Sequence, residues 1–225
     1  PDMQTVLSVY GGSATTVYGR FMEDYVRKLE PASREAYTEL FNRLDFQPGQ
    51  KALEVGIGSG RNLHRYPLNV SLVGVDVTPQ MIQTARHRAL ELGRTNIKFV
   101  VADATQLRFP NDLFDAVVST YTLCVTENPE KVLDEMVRVC KPGGHIGLYD
   151  CKRANSNPSV LKDQQFLAET MGKAGLFFEG KPAVVYNLLS DLDGLVANAA
   201  NKFGLDVVSK QAIEYSCEEC LGMYV

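Results

Sequence analysis

The chain has 225 residues, 45% of them apolar, with a formal net charge of −4 and five cysteines. That length and apolar share suffice for one well-cored domain. Lys and Arg are scattered rather than clustered, which excludes a nucleic-acid groove as the business surface, because phosphates require a concentrated basic face. No apolar run reaches the ~18 residues of a membrane span, and the first thirty residues lack the order of a signal peptide, so the expected location is cytoplasmic. Cys217 and Cys220 form a lone Cys-x-x-Cys with no second ligand pair, so no metal is expected.

In chain order, residues 1–45 read as an N-terminal helical lid. Within it, 16–45 forms two helices broken near Pro31, the first carrying the stripe Phe21, Met22, Tyr25, Val26 and Leu29. On that helix Arg20, Arg27 and Lys28 are balanced by Glu23, Asp24 and Glu30, so it lacks the positive excess that draws a helix to anionic lipid. Peripheral membrane contact stays open.

Residues 46–151 alternate short apolar runs with helical patterns, the mark of a parallel α/β sheet. Strands are expected at 51–56, 71–77, 97–103, 114–123 and 144–151, apolar on both faces as in a sheet covered on both sides. A helix is expected at 79–93, with Thr78 as N-cap and Gly93 just past its end. Another is expected at 129–144, with Val132, Leu133, Met136, Val137 and Cys140 on one face and Pro142-Gly143-Gly144 as its stop. Residues 152–204 read as a helical cap of two helices, the second with Val185, Leu188, Leu189, Leu192, Leu195, Val196 and Ala199 as its stripe. Residues 205–225 carry two strand-like runs, 205–216 and 219–225, able to pair as an antiparallel hairpin at a sheet edge.

The chemistry concentrates at "ALEVGIGSGRNL", residues 52–63, where a strand runs into Gly56, Gly58 and Gly60. A phosphate-binding P-loop needs Lys and Ser/Thr after its last glycine, and Arg61-Asn62-Leu63 stand there instead. The dinucleotide fingerprint needs a glycine at the sixth position, and that position is Arg61. Glu54 precedes the glycines; a carboxylate there repels a pyrophosphate and favours a ligand carrying an ammonium group. The next strand ends in Asp76, suited to ribose hydroxyls, and the third in Asp103, suited to an exocyclic adenine amine. A strand-end Asp is often only a turn former, but this ordered set of acids and glycines selects S-adenosylmethionine over NAD.

On these residues the sequence resembles the class I S-adenosylmethionine-dependent methyltransferases. "LEVGIGSG" looks like their first motif, "VGVDVTPQMIQTAR" their ribose segment, "VVADATQLRFPNDLFDAVVST" their adenine and fourth-strand region, and "VLDEMVRVCKPGGHIGLYD" the helix and strand that follow. The resemblance covers about residues 48–151. It implies a seven-stranded, mostly parallel Rossmann-like sheet with a reversed last strand. It places Glu54 and the Gly56–Gly60 backbone at the methionine end, Asp76 on ribose with Val77 and Met81 beside it, and Asp103 with Ala104 on adenine. Ser119 and Thr120 would line the floor near the sulfonium.

"STYTLC" (119–124) lacks the Asn/Asp-Pro-Pro-aromatic motif of enzymes that methylate nucleobase or glutamine amines. The region resembles phosphatidylethanolamine, quinone-ring and thiol methyltransferases alike, so the expected acceptor is a small molecule or lipid headgroup. No clear base is evident, which favours an amine or thiol displacing the methyl in line. Tyr18 in the lid, Tyr121 and Asp150 are the expected catalytic or substrate-contacting residues, with Tyr18 also approaching the cofactor. His64, His87 and His145 are assigned no role. A ring-carbon or hydroxyl methyltransferase, and a non-catalytic protein that keeps the cofactor site as a scaffold, are the alternatives.

Overall fold

Five β-strands, β1 (Lys51–Val55), β2 (Ser71–Asp76), β3 (Ile97–Val101), β4 (Phe114–Thr120) and β5 (Cys140–Cys151), pair in parallel in the order β3-β2-β1-β4-β5. The computed structural model describes residues 34–35, 37–126, 128–151, 191–208, 210–213 and 221–224. Tyr18, the rest of the lid up to residue 33, and cap residues 152–190 lie outside that set, as do Cys217 and Cys220. Among the described residues, no helix is long and apolar enough to cross a membrane, and no group of His, Cys, Asp and Glu could hold a metal.

The central strands are near-continuous apolar runs because both faces are covered. On one face, Ala52, Leu72, Ala116, Val118 and Tyr149 pack with Tyr37, Leu40 and Phe41 of α1, a helix that includes residues 37–43. Ile82, Ala85 and Ala89 of α2 (Pro79–Glu91) cover the same face. On the other, Leu53, Val55, Val117 and Leu148 meet Val132, Leu133 and Met136 of α3 (Pro129–Val139) and Leu192, Leu195 and Val196 of α4 (Leu192–Phe203). Period-2 alternation along the strands sorts neighbouring side chains to opposite faces. β6 (Lys210–Ile213) and β7 (Leu221–Tyr224) extend the sheet, β7 running antiparallel to both β5 and β6.

Several boundaries differ from the sequence expectation. The helix expected to run to residue 144 stops at Val139, and Cys140, expected on its apolar face, pairs with Phe114 as the first residue of β5. The next pairing is Ala116 with His145, so Lys141–Gly144 bulges out of the ladder. Proline cannot donate to a ladder and Gly143 takes φ +75°, which is why the stop signal sits inside a strand rather than ahead of one. α4 starts only at Leu192, because the Asp191 side chain accepts from the Gly194 N–H and caps it there. The first closing run starts at Lys210 rather than 205. At α2, Thr78 occupies the cap position without a side-chain bond; the Asp76 carboxyl accepts its N–H instead.

One buried cation braces the loop behind the glycine turn. Arg94, just past α2, donates from Nη1 to the carbonyls of Leu63 and Tyr66 at 2.8 and 2.6 Å, and from Nη2 to that of Pro67 at 3.3 Å. The Pro67 carbonyl also accepts the Val70 N–H at 3.2 Å, so the guanidinium ties the end of the short 3-10 turn to the loop that follows it.

Candidate cofactor and active site

The site forms where the strand order reverses. β1 pairs with β2 on one side and β4 on the other, and the crevice outside their carboxyl ends is where open α/β sheets bind ligands. Gly56, Gly58 and Gly60 all have positive φ, 71°, 52° and 78°. The turn is held from both flanks. Gly58 N–H donates to Asp76 Oδ2 at 2.9 Å, and Thr122 Oγ1, just past β4, donates to the Val55 carbonyl at 3.2 Å. Asp76 therefore spends one oxygen on the glycine turn and the other on the Thr78 N–H, and burial still pushes its carboxyl above the usual value. Each carboxylate oxygen retains a second acceptor site. Val77 and Met81 are half-buried.

Beneath the turn lies a buried acid with no counter-ion. Glu54 is 1% exposed; its Oε1 accepts from Asn62 Nδ2 at 2.8 Å, while Oε2 has no hydrogen-bond partner. The same Asn62 amide donates to Thr120 Oγ1 at 3.0 Å, tying β1, the turn and β4 together. Burial raises the Glu54 carboxyl from 4.5 to about 7, against the opposing effects of Asn62 and the nearby Tyr66 hydroxyl. The Tyr66 hydroxyl lowers it by approaching as a donor, short of a hydrogen bond of normal geometry.

Above Thr120 an aromatic group closes the face. Tyr149 is 0% exposed and its ring lies 4.5 Å from Tyr37 and, edge-on, 5.3 Å from Tyr121. The Arg65 guanidinium stands 4.8 Å over the Tyr37 ring. Burial and the Tyr149 phenol push the Tyr37 hydroxyl well above its ordinary value.

The remaining expected residues fall in different settings. Tyr121 follows β4 with φ +52°, an uncommon conformation for a bulky residue, and its N–H bonds the Tyr149 carbonyl at 2.9 Å. Asp150, expected to meet substrate, is 1% exposed and accepts the N–H groups of Thr122, Leu123 and Cys124 at 2.9, 2.7 and 3.2 Å. It thereby holds the turn that carries Tyr121. Asp150→Asn is expected to cost about 2 kcal/mol of unfolding free energy, since an amide must turn its NH2 toward one of three donors; a denaturant titration checks it. Ser119 is fully buried, its hydroxyl unpartnered, on the opposite face of β4 from the Glu54 cluster. Asp103 is exposed beyond β3 and accepts the N–H and hydroxyl of Thr105, both at 2.8 Å, with half-buried Ala104 between them. His64, His87 and His145 are exposed.

Sequence reasoning missed Asn62, Tyr37 and Thr122. Asn62 stood inside the quoted motif, and the signal was a polar side chain two residues past the last glycine, followed directly by Leu63. Tyr37 and Thr122 gave no signal, because their partners are distant in the chain.

An α/β sheet with a glycine turn at its switch point, over a buried acid without a counter-ion, has the Rossmann-like architecture. Residues 53–148 match the family described as a methyltransferase domain. The chain is 38% identical over 99 residues to a phosphatidylethanolamine N-methyltransferase of Cereibacter sphaeroides, covering 44% of this chain and 49% of that protein. It is 36% identical over 112 residues to a demethylmenaquinone methyltransferase of Renibacterium salmoninarum, covering 49% and 45%. The fold also matches the N-methyltransferase NodS of Bradyrhizobium japonicum, solved with S-adenosylhomocysteine: TM-score 0.60, 19% identity, 86% and 87% of the two chains. Residues 53–148 thus form a methyltransferase domain, and S-adenosylmethionine is the cofactor that the sequence resemblance implies for it. The chain spans about half the length of these curated relatives.

The residues present fit that cofactor. An uncompensated buried carboxyl suits a cationic ligand and would oppose a phosphorylated one.

Proposed function

We propose that the protein transfers a methyl group from S-adenosylmethionine to an amine of a small molecule or lipid headgroup. The observation that carries the reading is Glu54: a buried acid without a counter-ion directly below a glycine turn. When bound, the cofactor supplies an electrophilic methyl that a nucleophile displaces in line. In this reading Glu54 and the Gly56–Gly60 backbone hold the methionine end, Asp76 the ribose with Val77 and Met81, and Asp103 with Ala104 the adenine. Thr120 and Tyr121 stand on the acceptor side, with Tyr18 of the lid as a further contact.

The acids near the turn favour an amine or thiolate acceptor. Asp76 and Asp150 have both oxygens engaged with backbone N–H groups, and Glu54 is buried, so none is placed as a base for a hydroxyl. A neutral amine needs no base. The likeness to a phosphatidylethanolamine N-methyltransferase supports the amine; the similar likeness to a quinone methyltransferase keeps ring-carbon transfer as the second reading. The seven-stranded sheet with Leu221–Tyr224 as its reversed strand belongs to the same proposal, supported by the antiparallel pairing of β7 between β5 and β6.

Incubation with methyl-labelled cofactor and a panel of ethanolamine, phosphoethanolamine, phosphatidylethanolamine vesicles, thiols and quinols tests the assignment. Label in the amines supports it, label only in quinols establishes the ring-carbon reading, and label in none favours a scaffold. Asp76→Ala is expected to weaken S-adenosylmethionine binding about tenfold, through the lost ribose acceptor and the released Gly58 N–H. Unchanged affinity by calorimetry would remove Asp76 from the site.

A further inference from the structure

The Glu54 cluster is built to keep one acceptor unspent. Asn62 commits Oε1 of Glu54 and, with the same amide nitrogen, binds Thr120 Oγ1, fixing the carboxyl between β1 and β4. Oε2 is buried and meets no hydrogen bond of normal geometry, although the Tyr66 hydroxyl approaches the carboxyl as a weak donor. The ionisable groups around it give no counter-charge. Tyr66 is a neutral phenol held high by burial and by Glu54 itself. Tyr37 from α1, a phenol held high by burial, stacks at 4.5 Å on the buried Tyr149 ring of β5. Arg61 and Arg65 act on Tyr37, and the Arg94 guanidinium is spent on three backbone carbonyls. The other buried acid near the turn, Asp76, binds two backbone N–H groups. A carboxyl so placed takes one of two forms: neutral with its proton, or ionised with a cation brought from outside.

We propose that Asn62 is a positioning residue that holds Glu54 with one oxygen committed and one unspent, so that S-adenosylmethionine binding over the glycine turn expels the Glu54 proton to solvent. This rests on the cofactor assignment above. The balance is simple: the free protein carries the carboxylic acid, the bound state the carboxylate, and one proton goes to bulk water. S-Adenosylmethionine carries a sulfonium and an ammonium against one carboxylate, whereas S-adenosylhomocysteine lacks the sulfonium charge, so the two ligands should expel the proton to different extents. Cofactor affinity then rises with pH until Glu54 is ionised in the free protein.

Calorimetric titration of the full chain with each nucleoside, in two buffers of different ionisation heat from pH 6 to 9, counts the protons released. The expected result is roughly half a proton per S-adenosylmethionine near pH 7, fading to none by pH 9, and a smaller release with S-adenosylhomocysteine. Glu54→Gln should bind more weakly and release none. Asn62→Ala removes a bond that favours the carboxylate, so its release should persist to higher pH. Binding without proton release, or release unchanged in Glu54→Gln, overturns the proposal. An unmoved pH profile in Asn62→Ala removes Asn62 from it. If neither nucleoside binds, the cofactor assignment falls and takes this inference with it.

Discussion

Gly56→Ala is expected to destabilise the protein by about 3 kcal/mol and to weaken S-adenosylmethionine binding at least tenfold. Two separate causes converge at this position. A Cβ there would stand 2.0 Å from Thr122 Oγ1, 2.7 Å from its Cγ2 and 2.9 Å from its Cβ, well inside contact distance. The residue also has φ +71°, where an L side chain is strained even in open space. Thr122 cannot retreat easily, because its hydroxyl bonds the Val55 and Thr120 carbonyls and its N–H bonds Asp150. Adding Thr122→Ala removes the two side-chain atoms nearest the clash and should return about half of the loss, leaving the backbone strain. A double-mutant cycle in urea separates the parts. Additive losses would mean that Gly56 matters through its φ alone. By contrast, Gly58 has open space around a built Cβ, so alanine there meets only the conformational cost.

That contrast marks what the residue order could and could not reveal. The spacing of Gly56, Gly58 and Gly60 announced a turn and, through Arg61 and Asn62, the kind of ligand it refuses. It could not announce which glycine is irreplaceable, since that depends on Thr122, brought alongside only when β4 pairs with β1. The parallel strands were legible because burial on both faces writes them as unbroken apolar runs. The end of α3 was not, since Cys140 continues the helical spacing while its backbone already pairs with Phe114. Asp150 illustrates the same limit at the site. An acid at the productive end of a strand reads as a contact for substrate, yet here its three backbone bonds make it the clasp of the turn beyond β4. The contact between Tyr37 and Tyr149 joins the two ends of the described core and leaves no local trace.

Glu54→Gln is expected to stabilise the cofactor-free protein at pH 8 by about 3 kcal/mol while impairing cofactor binding, the reverse of what loss of a hydrogen-bonded core residue usually does. The carboxyl titrates at about 7 in the folded protein against 4.5 for an ordinary carboxyl, and burial is the leading cause. A raised acid penalises the folded state wherever the unfolded chain ionises first. Below about pH 4 both states hold the proton and the penalty is absent; it grows as pH rises from about 4.5 and levels off above about 7, at about 3 kcal/mol. Glutamine keeps an oxygen for Asn62 and the shape of the side chain, and it carries no charge to bury. The stability difference between variant and wild type should therefore be near zero at pH 4, climb through the acid range and plateau above neutrality. Thermal or urea unfolding at pH 4, 6 and 8 reads it directly. A difference independent of pH would mean that Glu54 titrates in the folded protein as it does in the unfolded chain. Saturating S-adenosylmethionine should shrink the difference at pH 8, because the ligand favours the carboxylate that the empty site disfavours. In the proposed reading, the glycine turn and the acid beneath it trade stability in the empty protein for affinity toward a cation.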